Sequence, residues 1–391
     1  MNIVHFTSGR INPAAAKVGL ANVIYWLALE QAKAGHHVTV VVLPEKRDYE
    51  NVVDPGFRIV EYAPPSRAGF AIDPQFLKDL DTGALKVDIA HLHGVWSPIV
   101  VAIGSALRKR HIPYVVSSHG SFSPGICQKQ RVRKWGFRVL FGSPLVNHAL
   151  FVHLHSEDET RDALDFGVTA PLFVAEQGFS RDAIPPQLVP EWLAQRFPQY
   201  QDSFKLLFLG RLDPWHKGID RLLEAIAEVR VKFPSIVLFL VGPKKRRYSA
   251  EIPELIARLG LHENVVLVGP LYDPQEKYSA LASADLFVLT SRFEGFPLTV
   301  LEAMACGVPV LVTKGTNAGG MLAGDRAGIV CEGSPHEIAD GICKAVAEPD
   351  ALRSMAARGQ ALVKTKTWEK TARFLLDEYA RMLKGKAKWR E

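Results

Sequence analysis

The 391-residue sequence predicts an α/β protein built from two doubly wound, parallel-sheet domains, and three observations carry that expectation. Strand-like and helix-like runs alternate from end to end, the pattern of parallel sheets covered by helices on both faces. Most strand-like runs are continuously apolar, as strands buried on two sides are. A polar stretch with Pro185, Pro186, Pro190 and Pro198, from Gln177 to Asp202, interrupts the alternation, which then restarts; that composition suits a linker or hinge. At roughly 150 residues per domain the length fits two or three domains.

In the first half the predicted strands are Asn2 to Thr7, His37 to Leu43, Phe57 to Tyr62, Asp88 to His93, Tyr114 to Ser118, Ala149 to His155 and Pro171 to Ala175. Gly19 to Ala34 reads as the first crossover helix: Leu20, Val23, Ile24, Leu27 and Gln31 fall at helical spacing, and Gly35 supplies a C-terminal stop. Further helices are expected over Pro98 to Arg110, Lys129 to Asn147 and Ser156 to Phe166. The second series runs Lys205 to Leu209, Ile236 to Val241, Asn264 to Val268, Asp285 to Leu289, Val308 to Val312 and Gly328 to Val330. Its first helix, Gly218 to Phe233, carries Leu222, Leu223, Ile226 and Val229 on one face, the stripe that covers a sheet. A last helix pattern begins near Lys366, with Phe374, Leu375, Glu378 and Met382 roughly in phase, and a charged tail follows from Lys384. The expected division is residues 1–180, 181–366 and a C-terminal segment 367–391.

Composition narrows the class. Hydrophobic residues at 48% and charged residues at 23% exclude disorder and collagen-like repetition. The longest uncharged stretches, such as Gly94 to Leu107, fall short of the roughly 18 apolar residues of a membrane span. The start, MNIVHFTSGR, enters a strand-like run at once and lacks the pattern of a secretory signal, so a cytoplasmic location is expected, with membrane association left open. Cys127, Cys306, Cys331 and Cys343 never form a C-x-x-C pair, which argues against a zinc knuckle or disulfide framework. A net charge of +6 favours an anionic partner.

Ligands of open parallel sheets bind beyond the carboxyl ends of the strands, so the chemistry belongs in the loops there. The strongest signal is Glu294-Gly295-Phe296-Pro297-Leu298-Thr299-Val300-Leu301-Glu302. Gly295 and Pro297 break the strand, and a helix start near Leu298 offers unpaired amides at the positive end of its dipole, a phosphate site. Glu302 sits about one turn further on, and Glu294 stands at the mouth of the loop. Two carboxylates beside a phosphate make electrostatic sense when they accept hydroxyl groups, such as those of a sugar and a ribose joined by a diphosphate. The second signal is Leu209-Gly210-Arg211-Leu212-Asp213-Pro214-Trp215-His216-Lys217-Gly218, where Arg211 and Lys217 bracket a turn and can converge on an anion. The third is Ser117-Ser118-His119-Gly120, which places His119 just beyond a strand, able to bond sugar hydroxyls or a neighbouring carbonyl. His91 with His93, and His153 with His155, are strand-spaced pairs; no third ligand is apparent in sequence, and no metal is expected. Gly9 and Gly19 flank a first loop with Ala14, Ala15 and Ala16, and the absence of G-x-G-x-x-G there counts against a nicotinamide or flavin enzyme. Lys129, Arg131, Arg133, Lys134, Trp135, Phe137 and Arg138 form a basic, aromatic helix that can lie on an anionic membrane or be a charged outer face. No reader motif for nucleic acid accompanies the charge.

These stretches resemble the two-domain GT-B fold, two Rossmann-like domains facing a central cleft, and within it the retaining glycosyltransferase family 4. The resemblance covers nearly the whole chain and rests on GLANVIYWLALEQAKAGHHVTVV, HLHG, SSHGSFSP, LGRLDPWHKGIDRLLEAI and, most specifically, SRFEGFPLTVLEAMACGVPVL. It implies that residues 1–180 take the acceptor and 181–366 the donor, with a helix from Thr367 to Leu383 crossing back onto the first domain. It implies that Arg211 and Lys217 hold the donor diphosphate, that Glu294 contacts the transferred sugar, and that Glu302 binds the ribose. By the same resemblance the amides of Phe296, Leu298 and Thr299 complete the phosphate cradle, His119 contacts the donor sugar, and Gly19 belongs to the glycine loop near the phosphates. The implied activity is transfer of a hexose-type sugar, with retention, from a nucleoside-diphosphate sugar to a hydroxyl of a glycan or lipid-linked acceptor in surface polysaccharide assembly. No cofactor and no metal are implied, and peripheral contact with the inner membrane surface fits the basic helix. The sequence departs from the family at Val18-Gly19, where two glycines are common, at Glu176-Gln177-Gly178-Phe179, where Asn-Gly is common, and at Thr316-Asn317-Ala318-Gly319-Gly320, where a Gly-Gly-rich loop is common. Two other classes stay open: a GT-B nucleotide-sugar epimerase, and a non-catalytic nucleotide-binding subunit of a glycan assembly complex.

Overall fold

Continuous apolar runs become strands of two parallel sheets because only a strand covered on both faces can bury every side chain it carries. The computed structural model describes residues 1–7, 19–43, 56–62, 69–128, 131–243 and 250–387. The chain divides into two units, Met1–Gly178 with Thr367–Glu391, and Phe179–Lys366.

In the first unit the strands are β1 (Asn2–Thr7), β2 (His37–Val42), β3 (Arg58–Glu61), β4 (Ile89–His93), β5 (Tyr114–Ser117), β6 (Val152–Leu154) and β7 (Leu172–Val174). Their order in the sheet is β3-β2-β1-β4-β5-β6-β7, and every pair is parallel. The second unit holds β8 (Phe204–Leu209), β9 (Ile236–Val241), β10 (Val265–Gly269), β11 (Leu286–Leu289), β12 (Val310–Thr313) and β13 (Ile329–Cys331), in the order β10-β9-β8-β11-β12-β13. Each sheet therefore reverses direction at its first strand, and the switch points lie between β1 and β4 and between β8 and β11. In sheets of this kind the ligand crevice lies at the switch point, beyond the carboxyl ends of the strands.

Gly19–Lys33 is the first crossover helix, with Ala21, Val23, Ile24, Leu27, Ala28 and Gln31 buried. The helix Trp368–Ala387 packs against it within the first unit, burying Ala372, Leu375, Leu376 and Tyr379. The supposed linker from Gln177 to Asp202 is largely part of the second unit rather than a free hinge. Leu193 is fully buried in that unit's core, and the amides of Val189 and Leu193 donate to Ser279 Oγ and Ser283 Oγ. The expected helix over Lys129 to Asn147 is found as one continuous helical run from Arg131 to Asn147, with a π-helical turn at Arg138–Gly142 between Arg131–Phe137 and Ser143–Asn147; Lys129 lies outside the described residues. Pro144, just after the π turn, has no amide to donate back into it. Helices Pro74–Thr82, Pro274–Ala282 and Pro335–Ala347 escaped the sequence reading, although each opens with Asp73-Pro74, Asp273-Pro274 or Ser334-Pro335, a side-chain cap followed by proline. No described helix is long and apolar enough to cross a membrane.

Candidate active site

Within the second unit, the loops after β8 and β11 are bolted to each other. Gly218 has φ 64°, and a Cβ there would stand 1.9 Å from the carbonyl oxygen of Thr290, so only glycine allows the approach. Thr290 Oγ1 in turn donates to Gly218 O at 3.1 Å. Arg292 N donates to His216 O at 3.0 Å, and its guanidinium grips both carboxylate oxygens of Asp220 at 2.7 Å. The ring of His216 stacks on Phe293 at 4.1 Å and donates from Nε2 to the Phe293 carbonyl.

That framework brings two of the expected residues into contact. Lys217 Nζ pairs with Glu294 Oε1, and Ser291 Oγ donates to the same oxygen at 2.5 Å. Both charged side chains are about seven-eighths buried, 14% and 13% exposed. Burial pushes the Glu294 carboxyl up, but the Lys217 charge and the hydrogen bonds from Lys217 and Ser291 outweigh it and leave it below the usual range. Asn317 Nδ2 donates to Glu294 O at 2.8 Å and Glu294 N to Gly315 O at 2.8 Å, so Gly315 and Asn317, just beyond β12, fix the backbone of the carboxylate. Arg211 is exposed, with no hydrogen bond or ion pair holding its guanidinium among the described residues. The helix Leu298–Ala305 has Pro297 as its N-cap and no side-chain cap, so the amides of Leu298 and Thr299 have neither an intrahelical partner nor a capping side chain. Phe296 and Leu298 pack partly buried against the core of this unit.

Glu302 is buried on that helix. Lys277 Nζ lies 2.6 Å from its Oε1, with the Tyr278 hydroxyl 3.4 Å from the same atom, while Oε2 is buried without a partner. A buried carboxylate oxygen with no donor costs free energy comparable to a lost hydrogen bond, and a ligand hydroxyl would recover it. Sequence reasoning missed Lys277, since nothing in its helix marks it out; only the packing of Pro274–Ala282 beside Leu298–Ala305 brings the ammonium to Glu302.

In the first unit His119 sits at φ 47°, followed by Gly120 at 74°. The buried carboxylate of Glu159 braces this turn, accepting from Ser118 Oγ at 2.9 Å, Gly120 N at 2.9 Å and His155 N at 2.8 Å. Burial pushes the Glu159 carboxyl up to about 7 against the pull of those donors. Both ring nitrogens of His119 are engaged inside the unit, Nε2 with His93 Nδ1 at 2.9 Å and Nδ1 with His155 Nε2 at 3.0 Å. A sugar hydroxyl must therefore displace one of those partners to reach a ring nitrogen. Gly19 is the exposed first residue of its helix, with open space where a Cβ would stand. The loop carrying Gly9, Ala14, Ala15, Ala16 and Val18 lies outside the described residues.

The histidine pairs are also closer than the sequence suggested. Register pairs His5 with His91, which supplies the third ring that strand spacing did not reveal, and nitrogen atoms of His5, His91 and His93 lie within 4.8 Å of one another. The geometry is that of mutual hydrogen bonding. His91 and His93 stack at 4.4 Å with planes 15° apart, so their in-plane lone pairs run side by side instead of converging. All six nitrogens have other partners: Gln31, Ser117, Tyr379, His119 or each other.

Residues 18–182 match the family described as Glycosyltransferase Family 4, and residues 193–362 match Glycosyl transferases group 1. A D-inositol 3-phosphate glycosyltransferase of Segniliparus rotundus is 35% identical over 185 residues, 46% of this chain and 40% of that protein. The chain thus aligns with about two fifths of the length of that curated relative. A GDP-mannose-dependent monoacylated alpha-(1-6)-phosphatidylinositol monomannoside mannosyltransferase of Corynebacterium glutamicum is 27% identical over 71% of this chain and 72% of its own. Among solved structures, a sucrose-phosphate synthase from Thermosynechococcus elongatus superposes with a TM-score of 0.81 at 21% identity, covering 98% of this chain and 99% of that one. Anabaena HepE, solved in complex with UDP and glucose, gives 0.76 at 19% identity over 97% and 100%. Two switch-point sheets, the E-x7-E loop on the second, and matches that run from residue 18 to residue 362 establish that the chain belongs to the GT-B glycosyltransferases of the family 4 type.

Proposed function

We propose that the protein transfers a hexose-type sugar from a nucleoside-diphosphate sugar to a hydroxyl of a glycan or lipid-linked acceptor, in surface polysaccharide assembly and with retention of anomeric configuration. One observation carries the reading: at the carboxyl ends of β8 and β11, a cation–carboxylate pair, an uncapped helix start and a buried carboxylate with one unpaired oxygen occur on two interlocked loops. Lys217 and Arg211 neutralise the diphosphate as its bond to the sugar breaks, the role a metal would otherwise fill. Glu294, released from Lys217 as the ammonium turns to phosphate, accepts from sugar hydroxyls, and Glu302 Oε2 accepts from the ribose. The leaving phosphate takes the acceptor proton on the same face. Residues 1–180 take the acceptor.

The lipid-linked class of acceptor is supported by the surface of Arg131–Gly142. Val132 (83% exposed), Trp135 (61%), Val139 (46%) and Leu140 (67%) form an outward apolar stripe at helical spacing, flanked by exposed Arg131 and Arg133. Lys134 turns inward, donating to Ile126 O and lying over the Trp96 ring, so the face shown to solvent is apolar with a basic margin, suited to peripheral contact with an anionic membrane. Thermal shift against nucleoside diphosphates and their sugar conjugates tests the donor site, and a ligand of the folded state raises Tm. Unchanged donor hydrolysis in both Lys217→Ala and Glu294→Ala would remove the site assignment. Co-sedimentation with anionic but not zwitterionic vesicles, lost in Trp135→Ser with Leu140→Ser, tests the membrane face.

A further inference from the structure

The first unit holds a line of buried imidazoles that the proposed transfer reaction does not use directly. His5 Nε2 faces the amide oxygen of Gln31 at 2.7 Å, His5 Nδ1 meets His93 Nε2 at 3.0 Å, His93 Nδ1 meets His119 Nε2 at 2.9 Å, and His119 Nδ1 meets His155 Nε2 at 3.0 Å. A neutral imidazole has one donor and one acceptor nitrogen, so the protons along such a line are not independent. The Gln31 oxygen can only accept, which puts the His5 proton on Nε2. His5 Nδ1 then accepts from His93, His93 Nδ1 from His119, and His119 Nδ1 from His155. The last atom, His155 Nδ1, must be a bare lone pair, and it is buried without a partner, as is the Gln31 amide nitrogen at the opposite end. One acceptor at the far end thus sets every tautomer in the line.

We propose that His5, His93 and His155 are positioning residues that hold His119 as the neutral Nε2–H tautomer, with its Nδ1 lone pair taken by His155, so that the site is lined by a fixed, uncharged imidazole whose nitrogens are both engaged. This rests on the reading of His119 as a residue of the active site. Burial, with the neighbouring imidazoles, keeps the line uncharged. Around it stand His91 on β4, His153 on β6, Ser117 on β5, Tyr379 on the C-terminal helix and the Glu159 carboxylate of the turn. The second line shows the same logic: the Tyr379 hydroxyl donates to His91 Nδ1, His91 Nε2 to Ser117 Oγ, Ser117 to His153 Nδ1, and His153 Nε2 to the Ala175 carbonyl. Its acceptor end, a backbone carbonyl, fixes that direction as Gln31 fixes the first. The His119 turn is itself left-handed at a residue with a Cβ, so the ring bonds also hold a backbone conformation that is unfavourable alone.

Nitrogen-15 NMR of the full chain, labelled at histidine, reads the tautomers directly. His5, His93, His119 and His155 should each carry one proton, on Nε2, with no protonation between pH 7.0 and 5.5. A proton on Nδ1 of any of the four, or a ring titrating in that range, would overturn the proposal. His93→Leu should lower the rate of donor hydrolysis about tenfold, the weight of one buried hydrogen bond. His93→Gln, whose amide offers one acceptor and one donor, should recover most of it, and equal rates in the two variants would also overturn the proposal. Full hydrolysis by His119→Ala would instead overturn the reading of the site on which the proposal rests, and the NMR result separates the two failures.

Discussion

Acidification offers the sharpest physical test of this structure, because the first unit buries six neutral imidazoles: His5, His91, His93, His119, His153 and His155. Burial lowers His5 and His153 to about 4 and His119 to about 3, and pushes the other three well below their ordinary value of 6.5. A base whose folded pKa lies below its unfolded one binds more protons when unfolded, so its contribution to stability is complete above 6.5 and is lost as pH falls toward the folded value. Between pH 7.0 and 5.5 each of the three numbered residues removes about 1.2 kcal/mol, roughly 4 kcal/mol together. Glu159, raised to about 7 by burial, works the other way and returns roughly 1.5 kcal/mol as it protonates. The remaining three imidazoles act with the first group, so the net is a loss of at least about 2.5 kcal/mol, or roughly fiftyfold in the opening equilibrium. In the second unit His216, lowered to about 4 mainly by burial, removes at most about 1.2 kcal/mol over the same interval. The folded Glu294 carboxyl, lowered from 4.5, affects stability only in more acid solution. Hydrogen exchange read by mass spectrometry, corrected for the intrinsic pH dependence of exchange, resolves the two units. Peptides from β1 and β4 should lose protection more steeply than those from β8 and β11. Equal losses in the two units would refute the reasoning.

Lys217→Ala should cost the fold about 3–5 kcal/mol, because it strands a buried carboxylate, and combining it with Glu294→Gln should recover most of that; additive losses in denaturant melts would show that the pair is not coupled. Gly218→Ala places a methyl against the Thr290 carbonyl at positive φ and should lower stability by more than about 3 kcal/mol, with donor hydrolysis falling alongside; a wild-type melting curve would contradict the close approach. Tyr379→Phe removes the donor to His91 Nδ1 and should cost about 1–3 kcal/mol, detected as faster exchange in the C-terminal helix; unaltered exchange would mean the hydroxyl bond is idle.

Much of the fold was legible in sequence because local physics decides it. Val237 and Leu240 belong to a continuous apolar run that only a doubly covered strand can bury, and Val229 and Ile226 repeat at the period of a helix resting on a sheet. The E-x7-E loop was legible for the same reason: a Gly-Phe-Pro break and a helix start lie within nine consecutive residues. Short capped helices such as Pro74–Thr82 were readable from Asp73 and Pro74 but carry too few apolar repeats to stand out.

What the chain by itself determined, then, is which residues become strands, which loops follow them, and where charges fall along those loops, since each depends on neighbours a few positions away. Tertiary structure alone decided which of those charges meet. Lys217 finds Glu294 across 77 positions and Lys277 finds Glu302 across 25. His5, 86 positions before His91, joins the imidazole line only because β1 pairs with β4 in one register, and Tyr379 completes the second line only because the last helix packs on the first. Such pairings are set by strand order and helix packing, which bury side chains from distant parts of the chain together and leave their polar atoms no partners except one another.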